Sequence, residues 1–119
     1  MKNKLKLILW GKNLQLPMDY DKLEFDKYKL KIINNEYELY FYKNNKMIKL
    51  IMWWYNGNKY DESNYKNGEK DGKQYMWYED GKLFYEFNYK NDKENGKQYI
   101  WDENGKLKHE VDYKNGKLI

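Results

Sequence analysis

The sequence predicts an all-β protein: an elongated, single-layer antiparallel meander of stacked β-hairpin repeats, preceded by an N-terminal β cap. Three observations lead to this fold class. The chain has a 24-residue internal period, turn-forming Asn, Asp and Gly residues stand at fixed stations in that period, and short aromatic-rich runs separate the turns. We expect no helix, because no window carries a sustained 3.6-residue apolar stripe with caps. At 119 residues the chain has the length of one ordinary domain.

The repeat is defined by columns of matching residues spaced by 24 positions. The columns are Trp53, Trp77 and Trp101; Gly57, Gly81 and Gly105; Glu62, Glu86 and Glu110; Tyr65, Tyr89 and Tyr113; and Gly72 with Gly96. They divide the chain into three units, 49–72, 73–96 and 97–119, with a degenerate copy at about 26–48 inside an N-terminal cap of residues 1–48. We interpret the Trp, Gly and Tyr columns as structural positions.

Each unit reads as two strands and two turns. In the middle unit, residues 73–78 are rich in aromatic side chains and free of Gly and Pro, which is typical of a strand. A turn ending at Gly81 leads into a return strand over 82–89, and 90–96 connect to the next unit. The pairs Asn67-Gly68 and Asn115-Gly116 are strong turn signals.

Stacking of successive units explains the aromatic content of 19%. Equivalent residues of neighbouring units lie two strands apart, roughly 10 Å at ~4.8 Å per strand, a gap that rings bridge better than methyl groups. Tyr75 and Trp77 alternate with polar or smaller residues, as do Tyr99 and Trp101. These rings are therefore expected to form a ladder on one face, with the repeated indoles in the core.

In the N-terminal cap we expect strands at 5–9, 14–16, 28–33 and 37–42. The apolar run 7–10 is too short for the central region of a signal peptide, and no small-residue cleavage site follows. No segment approaches the roughly 18 apolar residues that span a bilayer. We expect an intracellular protein, and the use of Lys in place of Arg indicates an AT-rich genome.

The unit Tyr65-Lys-Asn-Gly-x3-Gly72-Lys-Gln-Tyr-x-Trp77-Tyr-x2-Gly81-Lys-Leu resembles the MORN repeat, in its longer bacterial and giant-virus variant. The resemblance covers 49–119 well, 26–48 loosely and 1–25 not at all. It implies a twisted hairpin array used for protein contacts, self-association or, in some members, association with acidic lipid. It carries over no catalytic residue. Asp92 departs from the pattern, because it stands at the station of Gly68 and Gly116.

Composition excludes most catalytic chemistry. Without Cys there is no thiol nucleophile, disulfide or zinc ribbon. The single Ser63 and the single His109 lie almost two repeats apart, roughly 19 Å at ~4.8 Å per strand, which is too far for proton transfer. The acidic stretch 91–96 lacks a calcium ligand at its third position, and the acid pairs on turns read as a solvated rim. We expect no enzyme, no metal and no cofactor.

Charge is unevenly distributed along the chain. Residues 1–48 carry 10 Lys against 6 acidic residues and 49–119 carry 13 of each, so the first segment holds the whole net charge of +4. Neutral repeats without Arg make nucleic acid an unlikely partner. Lys2, Lys4 and Lys6 could attract an acidic membrane surface at ~1 kcal/mol each, and a solvated, mildly basic strand explains them equally well.

Two functions compete on these grounds. The first is a non-catalytic protein-interaction or assembly module, with a protein partner or a second copy binding through a sheet edge. The alternative is peripheral binding to acidic phospholipid. Trp54 and Tyr78 flank the repeated indoles on the opposite side of their strands, so we expect them to face outward as candidate contact residues.

Overall fold

A computed structural model describes all residues, 1–119, as one open antiparallel sheet preceded by a short helix. Helix α1 spans Lys2–Gly11, and a single 3₁₀ turn spans Tyr20–Lys22. The strands are Lys27–Ile33 (β1), Glu36–Lys43 (β2), Lys46–Trp53 (β3), Lys59–Lys66 (β4), Glu69–Trp77 (β5), Leu83–Lys90 (β6), Lys93–Glu94 (β7), Gly96–Trp101 (β8), Leu107–Lys114 (β9) and Lys117–Leu118 (β10). Strands pair antiparallel in chain order, and both β7 and β8 pair with β6. The predicted all-β hairpin meander is confirmed.

Two-residue hairpin turns follow β1, β2, β4, β6 and β9. In each of them both central residues have positive φ, which is the backbone of a type I′ turn and matches the twist of the flanking strands. The pairs are Asn34-Asn35, Asn44-Asn45, Asn67-Gly68, Asn91-Asp92 and Asn115-Gly116. Asp92 holds a φ of 66°, so the loss of Gly at this station leaves the turn geometry unchanged.

A longer hairpin turn, which connects β3 to β4, β5 to β6 and β8 to β9, is the second turn of each repeat. The Trp54 N–H donates to the carbonyl of Asn58 at 2.7 Å, and the equivalent bonds in the next two repeats are both 2.8 Å. The register shifts just before each of these turns, at the repeated Trp positions. Gly57, Gly81 and Gly105 supply the left-handed backbone that the turn needs, with φ of 91°, 94° and 84°.

The N-terminal cap is helical where a strand was expected. Residues 5–9 belong to α1, and residues 14–16 form an irregular connection, so the predicted β cap is wrong there. Leu5 and Leu9 lie four residues apart and are fully buried, whereas Leu7 is 65% exposed. The short Leu–Lys run fits a two-residue period and a helical period alike, and packing of the i, i+4 leucines on the sheet selects the helix. The strands expected at 28–33 and 37–42 correspond to β1 and β2.

The core lies between residues 1–26, which precede β1 and to which we restrict the word cap from here on, and the first strands of the sheet. Its eight buried residues are Leu5, Leu9, Leu14, Tyr20, Leu39, Phe41, Ile51 and Trp53. Half of them come from the cap and half from β2 and β3. The cap therefore supplies the second layer that a single sheet lacks.

Strand alternation gives the sheet two faces, which we define by their rows of directly paired residues. The cap face, on which α1 packs, carries the row Leu39, Ile51, Glu62, Tyr75, Glu86, Tyr99 and Glu110. The open face carries the row Met52, Asp61, Met76, Tyr85, Ile100 and His109. Both rows cross the sheet without interruption from β3 to β9.

Burial falls steeply along the array. Trp53 is fully buried, whereas Trp77 and Trp101 are only half-buried. After Ser63 the only buried residues are Gln74 and Gln98. The cap covers the first strands alone, so the sheet beyond β4 is a single layer with solvent on both faces.

Candidate interaction surface

Two pairs of stacked aromatic rings stand on the cap face beyond the cap. The ring centroids of Tyr75 and Trp77 are 5.5 Å apart at an interplanar angle of 22°. Those of Tyr99 and Trp101 are 5.6 Å apart at 25°. All four rings are half-buried. We call these four residues the ring ladder, and they stand one and two periods after the fully buried Ile51 and Trp53.

The cap shows what binds at the first of these stations. The Trp53 indole N–H donates to the carbonyl of Gln15 at 2.8 Å. The Gln15 N–H donates to the carbonyl of Gly57 at 3.1 Å, and a Cβ at Gly57 would overlap the Asn13 carbonyl oxygen. Leu9 and Leu14 pack in the same core cluster. The first station therefore combines apolar burial with hydrogen bonds to an irregular backbone segment.

A buried ionic cluster fixes the cap beside this station. Glu62 is fully buried, and its carboxylate oxygens accept from Lys49 Nζ at 2.7 Å and from Lys59 Nζ at 3.0 Å. The Met18 N–H donates to both oxygens, at 2.9 and 3.0 Å, and Lys59 Nζ also donates to the Leu16 carbonyl at 2.9 Å. Burial lowers the pKa of Lys59, and the charge and hydrogen bond of Glu62 oppose that shift. Every buried polar side-chain atom of the chain has a hydrogen-bond partner.

The next two repeats present the same kind of ion pair in solvent. Lys73 Nζ lies 3.3 Å from the Glu86 carboxylate, and Lys97 Nζ lies 3.5 Å from that of Glu110. The side chains of Lys73 and Lys97 are 52% and 51% exposed. Each later repeat therefore joins a stacked Tyr–Trp pair to a Lys–Glu pair on the cap face. In the middle repeat the Lys59 ammonium lies 4.8 Å from the Trp77 ring centroid, and Tyr75 lines a pocket with Met18 and Asp19, whereas no such contact reaches Tyr99 and Trp101. The 24-residue spacing of these lysines is the sequence signal that identifies the pairs.

The family comparison matches the array itself. A family model described as MORN repeat variant matches residues 70–91 and 94–115, two segments offset by one 24-residue period. These segments are MORN repeats. No curated protein and no solved structure matches the chain. MORN repeats are generally modules for interaction with proteins or membranes. No helix in the structure is both long and apolar enough to cross a membrane.

Trp54 and Tyr78, the predicted contact residues, are half-buried rather than freely outward-facing. The Trp54 indole N–H donates to the Trp77 carbonyl at 3.4 Å, and the Tyr78 hydroxyl donates to the Trp101 carbonyl at 2.9 Å. Each ring thus bonds the backbone of the following repeat. These bonds give both side chains a role in stacking the repeats, and a binding role stays a prediction.

The basic residues predicted to attract a membrane lie on α1. Lys2 Nζ donates to the carbonyls of Asp21 and Leu23, both at 2.8 Å, and so holds the helix to the segment that follows it. Lys6 Nζ lies 3.6 Å from the Asp21 carboxylate. Lys4 is exposed. Of the three lysines, two are engaged inside the cap.

The repeated Lys-Gln-Tyr triplets of the MORN array have a structural explanation that sequence reasoning missed. The Asn64 N–H donates to the Gln74 side-chain carbonyl at 3.1 Å, and the Gln74 amide donates back to the Asn64 carbonyl at 2.9 Å. Asn88 and Gln98 repeat both bonds, each at 2.9 Å. The glutamine side chain thus replaces strand hydrogen bonds where the register shifts. The signal was an Asn–Gln separation of ten residues in consecutive repeats.

Proposed function

We propose that the protein is a non-catalytic interaction module whose ring ladder binds an amphipathic segment of a partner protein. One observation carries the proposal: in the first repeat the same station is occupied by the apolar side chains and backbone of the cap, whereas no cap residue covers Tyr99 and Trp101 at the last station. The cap at the first station supports the proposal, because the repeat presents the same station again in each later unit.

The chemistry of the ring ladder suits such a partner. Trp and Tyr are enriched among residues that dominate binding energies at protein interfaces. Trp77 and Trp101 place indole N–H donors where Trp53 bonds a backbone carbonyl, and Glu86 and Glu110 place carboxylates where Glu62 accepts a backbone N–H. An irregular or helical segment with apolar side chains and free backbone groups matches both features.

The non-catalytic part of the proposal is supported by the separation of the two side chains that a hydrolase would need. Ser63 lies on β4 and His109 on β9, with β5, β6 and β8 between them. Four steps of ~4.8 Å put these strands roughly 19 Å apart, well beyond hydrogen-bond reach.

The probe for this function is a fluorescent peptide of residues 1–23, which stands in for an amphipathic partner. Binding to the full chain is followed by fluorescence anisotropy. We expect saturable binding that weakens at least about tenfold in a Tyr99→Ala/Trp101→Ala double variant, because Trp and Tyr anchors contribute a large share of the binding energy of protein interfaces. Glu103→Ala, on an exposed turn of the same repeat, is the matched control and should leave the affinity unchanged. Equal affinity in the double variant, or no binding at all, contradicts the proposal.

A second candidate function, association with acidic lipid, is favoured by the solvent side of α1. Leu7 and Trp10 are 65% and 55% exposed there, beside the exposed Lys4. Apolar and basic side chains on one helix surface are typical of interfacial helices. Sedimentation with anionic vesicles should carry down the wild type and less of Lys4→Glu and Trp10→Ala. Binding that is equal on neutral vesicles, or unchanged in both variants, removes this candidate.

A further inference from the structure

The open face carries its own column of rings, on the side of the sheet away from the ring ladder. Tyr65, Tyr89 and Tyr113 recur at 24-residue spacing on β4, β6 and β9. Beside this column Phe87 stacks on Tyr85 with centroids 4.3 Å apart, and Phe87 lines one cavity with Tyr89 and Tyr113. The spaces between successive tyrosines are therefore equivalent by the repeat.

The first of these spaces is filled by an ammonium group of the chain itself. Lys70 is the strand partner of Tyr65, and its Nζ lies 5.2 Å from the centroid of the Tyr89 ring. A cation within about 6 Å of a ring centroid is attracted by the negative face of the ring. Burial raises the pKa of Asp61, and its hydrogen bond with Ser63 and the charge of Lys70 oppose that shift, so a carboxylate lies close to the same ammonium. Rings and an acid together hold the Lys70 side chain.

The second space, between Tyr89 and Tyr113, has an acidic residue at the position that corresponds to Lys70. Glu94 stands 24 residues after Lys70 and is the strand partner of Tyr89, as Lys70 is of Tyr65. A cavity of about 370 Å³ lies here, and its walls include Phe87, Tyr89, Glu94, Val111 and Tyr113. We call it the Glu94 cavity.

The half-buried Glu94 carboxylate forms none of the ion pairs of the chain, all of which are within 4.0 Å. Glu94 lines the cavity together with Tyr89 and Tyr113, and burial, then the charges of Glu94 and Tyr113, raise the pKa of Tyr89. The cavity therefore offers ring faces and an unpaired negative charge.

We propose that the Glu94 cavity binds the ammonium of a lysine side chain donated by a partner protein. The preceding repeat shows the occupant, because there a lysine lies between the same two tyrosine stations. Ring faces attract the ammonium, the carboxylate forms a charge-assisted hydrogen bond with it, and the apolar walls cover the methylene stem. This site lies on the face opposite the ring ladder and does not depend on it.

The direct test is an NMR titration of the ¹⁵N-labelled full chain. The probe is Nα-acetyl-lysine amide, and Nα-acetyl-norleucine amide is the uncharged control at equal ionic strength. Lysine should shift the amide resonances of Tyr89, Glu94 and Tyr113 with saturation, and norleucine should not. Equal shifts with norleucine overturn the proposal. Phosphocholine, whose quaternary ammonium is the competing kind of cation, is titrated in the same way. If it shifts the same amides and binds more tightly than the lysine amide, the assignment to lysine is overturned.

Reciprocal charge exchange between the two repeats sharpens the test. Glu94→Lys supplies an internal ammonium, as Lys70 does, and should abolish binding, whereas Glu94→Gln should weaken it about fivefold. Lys70→Glu should create a second site, seen as new shifts at Tyr65. Glu79→Gln, on an exposed turn, is the matched control, and thermal melting verifies that each variant is folded. Wild-type affinity in a folded Glu94→Lys variant overturns the proposal. Loss of peptide binding at the ring ladder leaves this result unaffected, so the two proposals fail separately.

Discussion

The buried carboxylate of Glu62 offers the sharpest test of the structure, because the repeat provides its own control. Glu62→Gln keeps the shape of the side chain and removes its charge. Lys49 and Lys59, whose side chains are 8% and 7% exposed, then lose the group that neutralises them. Glu86→Gln makes the same change one period later, where the partner Lys73 is 52% exposed.

The two substitutions should differ several-fold in cost. Removing one partner of a buried ion pair costs about 3–5 kcal/mol, because the remaining charge is left without compensation. Glu86 is 19% exposed, but its partner Lys73 is half in solvent and stays hydrated without it, so loss of this pair costs at most about 1 kcal/mol. Since the free energy of unfolding of a domain of this size is only about 5–15 kcal/mol, Glu62→Gln should remove a large part of it.

Urea unfolding followed by tryptophan fluorescence measures the difference. With a slope of about 2 kcal/mol per molar urea, Glu62→Gln should lower the midpoint by roughly 2 M and Glu86→Gln by less than about 0.5 M. Coincident unfolding curves for the two variants would refute the account of the cap as a layer held by a buried ionic cluster.

Three further predictions concern the same asymmetry along the array. Gly57→Ala should destabilise the protein by at least about 2 kcal/mol more than Gly105→Ala, because only Gly57 contacts cap backbone while both positions have positive φ; thermal melts of both variants measure this. Trp53→Ala should cost about 3–5 kcal/mol and the half-buried Trp101→Ala clearly less, as read from urea midpoints. Burial, with the charges of Glu86 and Glu62, raises the pKa of Tyr75 from 10.0 to about 12. The unfolded chain therefore loses the Tyr75 proton at a lower pH than the folded chain does. The contribution of this hydroxyl to the free energy of unfolding is complete below pH 10 and is lost as the pH rises to about 12. Tyr75→Phe should therefore reduce the fall in melting temperature over that range.

The sequence was sufficient for the repeat and its turns. Type I′ turns need positive φ at both central residues, and Asn, Asp and Gly are the residues that tolerate it. Asn67-Gly68 and its equivalents can therefore be predicted from the local sequence. The 24-residue columns then specify that successive hairpins stack, because matching residues recur where neighbouring strands meet.

The helix of the cap could not be predicted from the local sequence in the same way. Leu5, Leu7 and Leu9 alternate with other residues as a strand would, and Leu5 and Leu9 also share a helix face. A run of ten residues contains too few turns for its period to decide between the two. Contact with Leu39 and Ile51 decides, and those residues lie 30 or more positions away.

Strand period, turn type and repeat length were determined by the sequence alone, because each follows from backbone preferences within a few residues and from identity at fixed spacing. The tertiary structure decided which copies of a repeated station are buried and which meet solvent. Trp53 and Trp101 are identical in sequence role, and so are Glu62 and Glu110. They differ only because a single helix and its connection cover the first station and no other, and coverage depends on contacts between distant segments that a local pattern does not record.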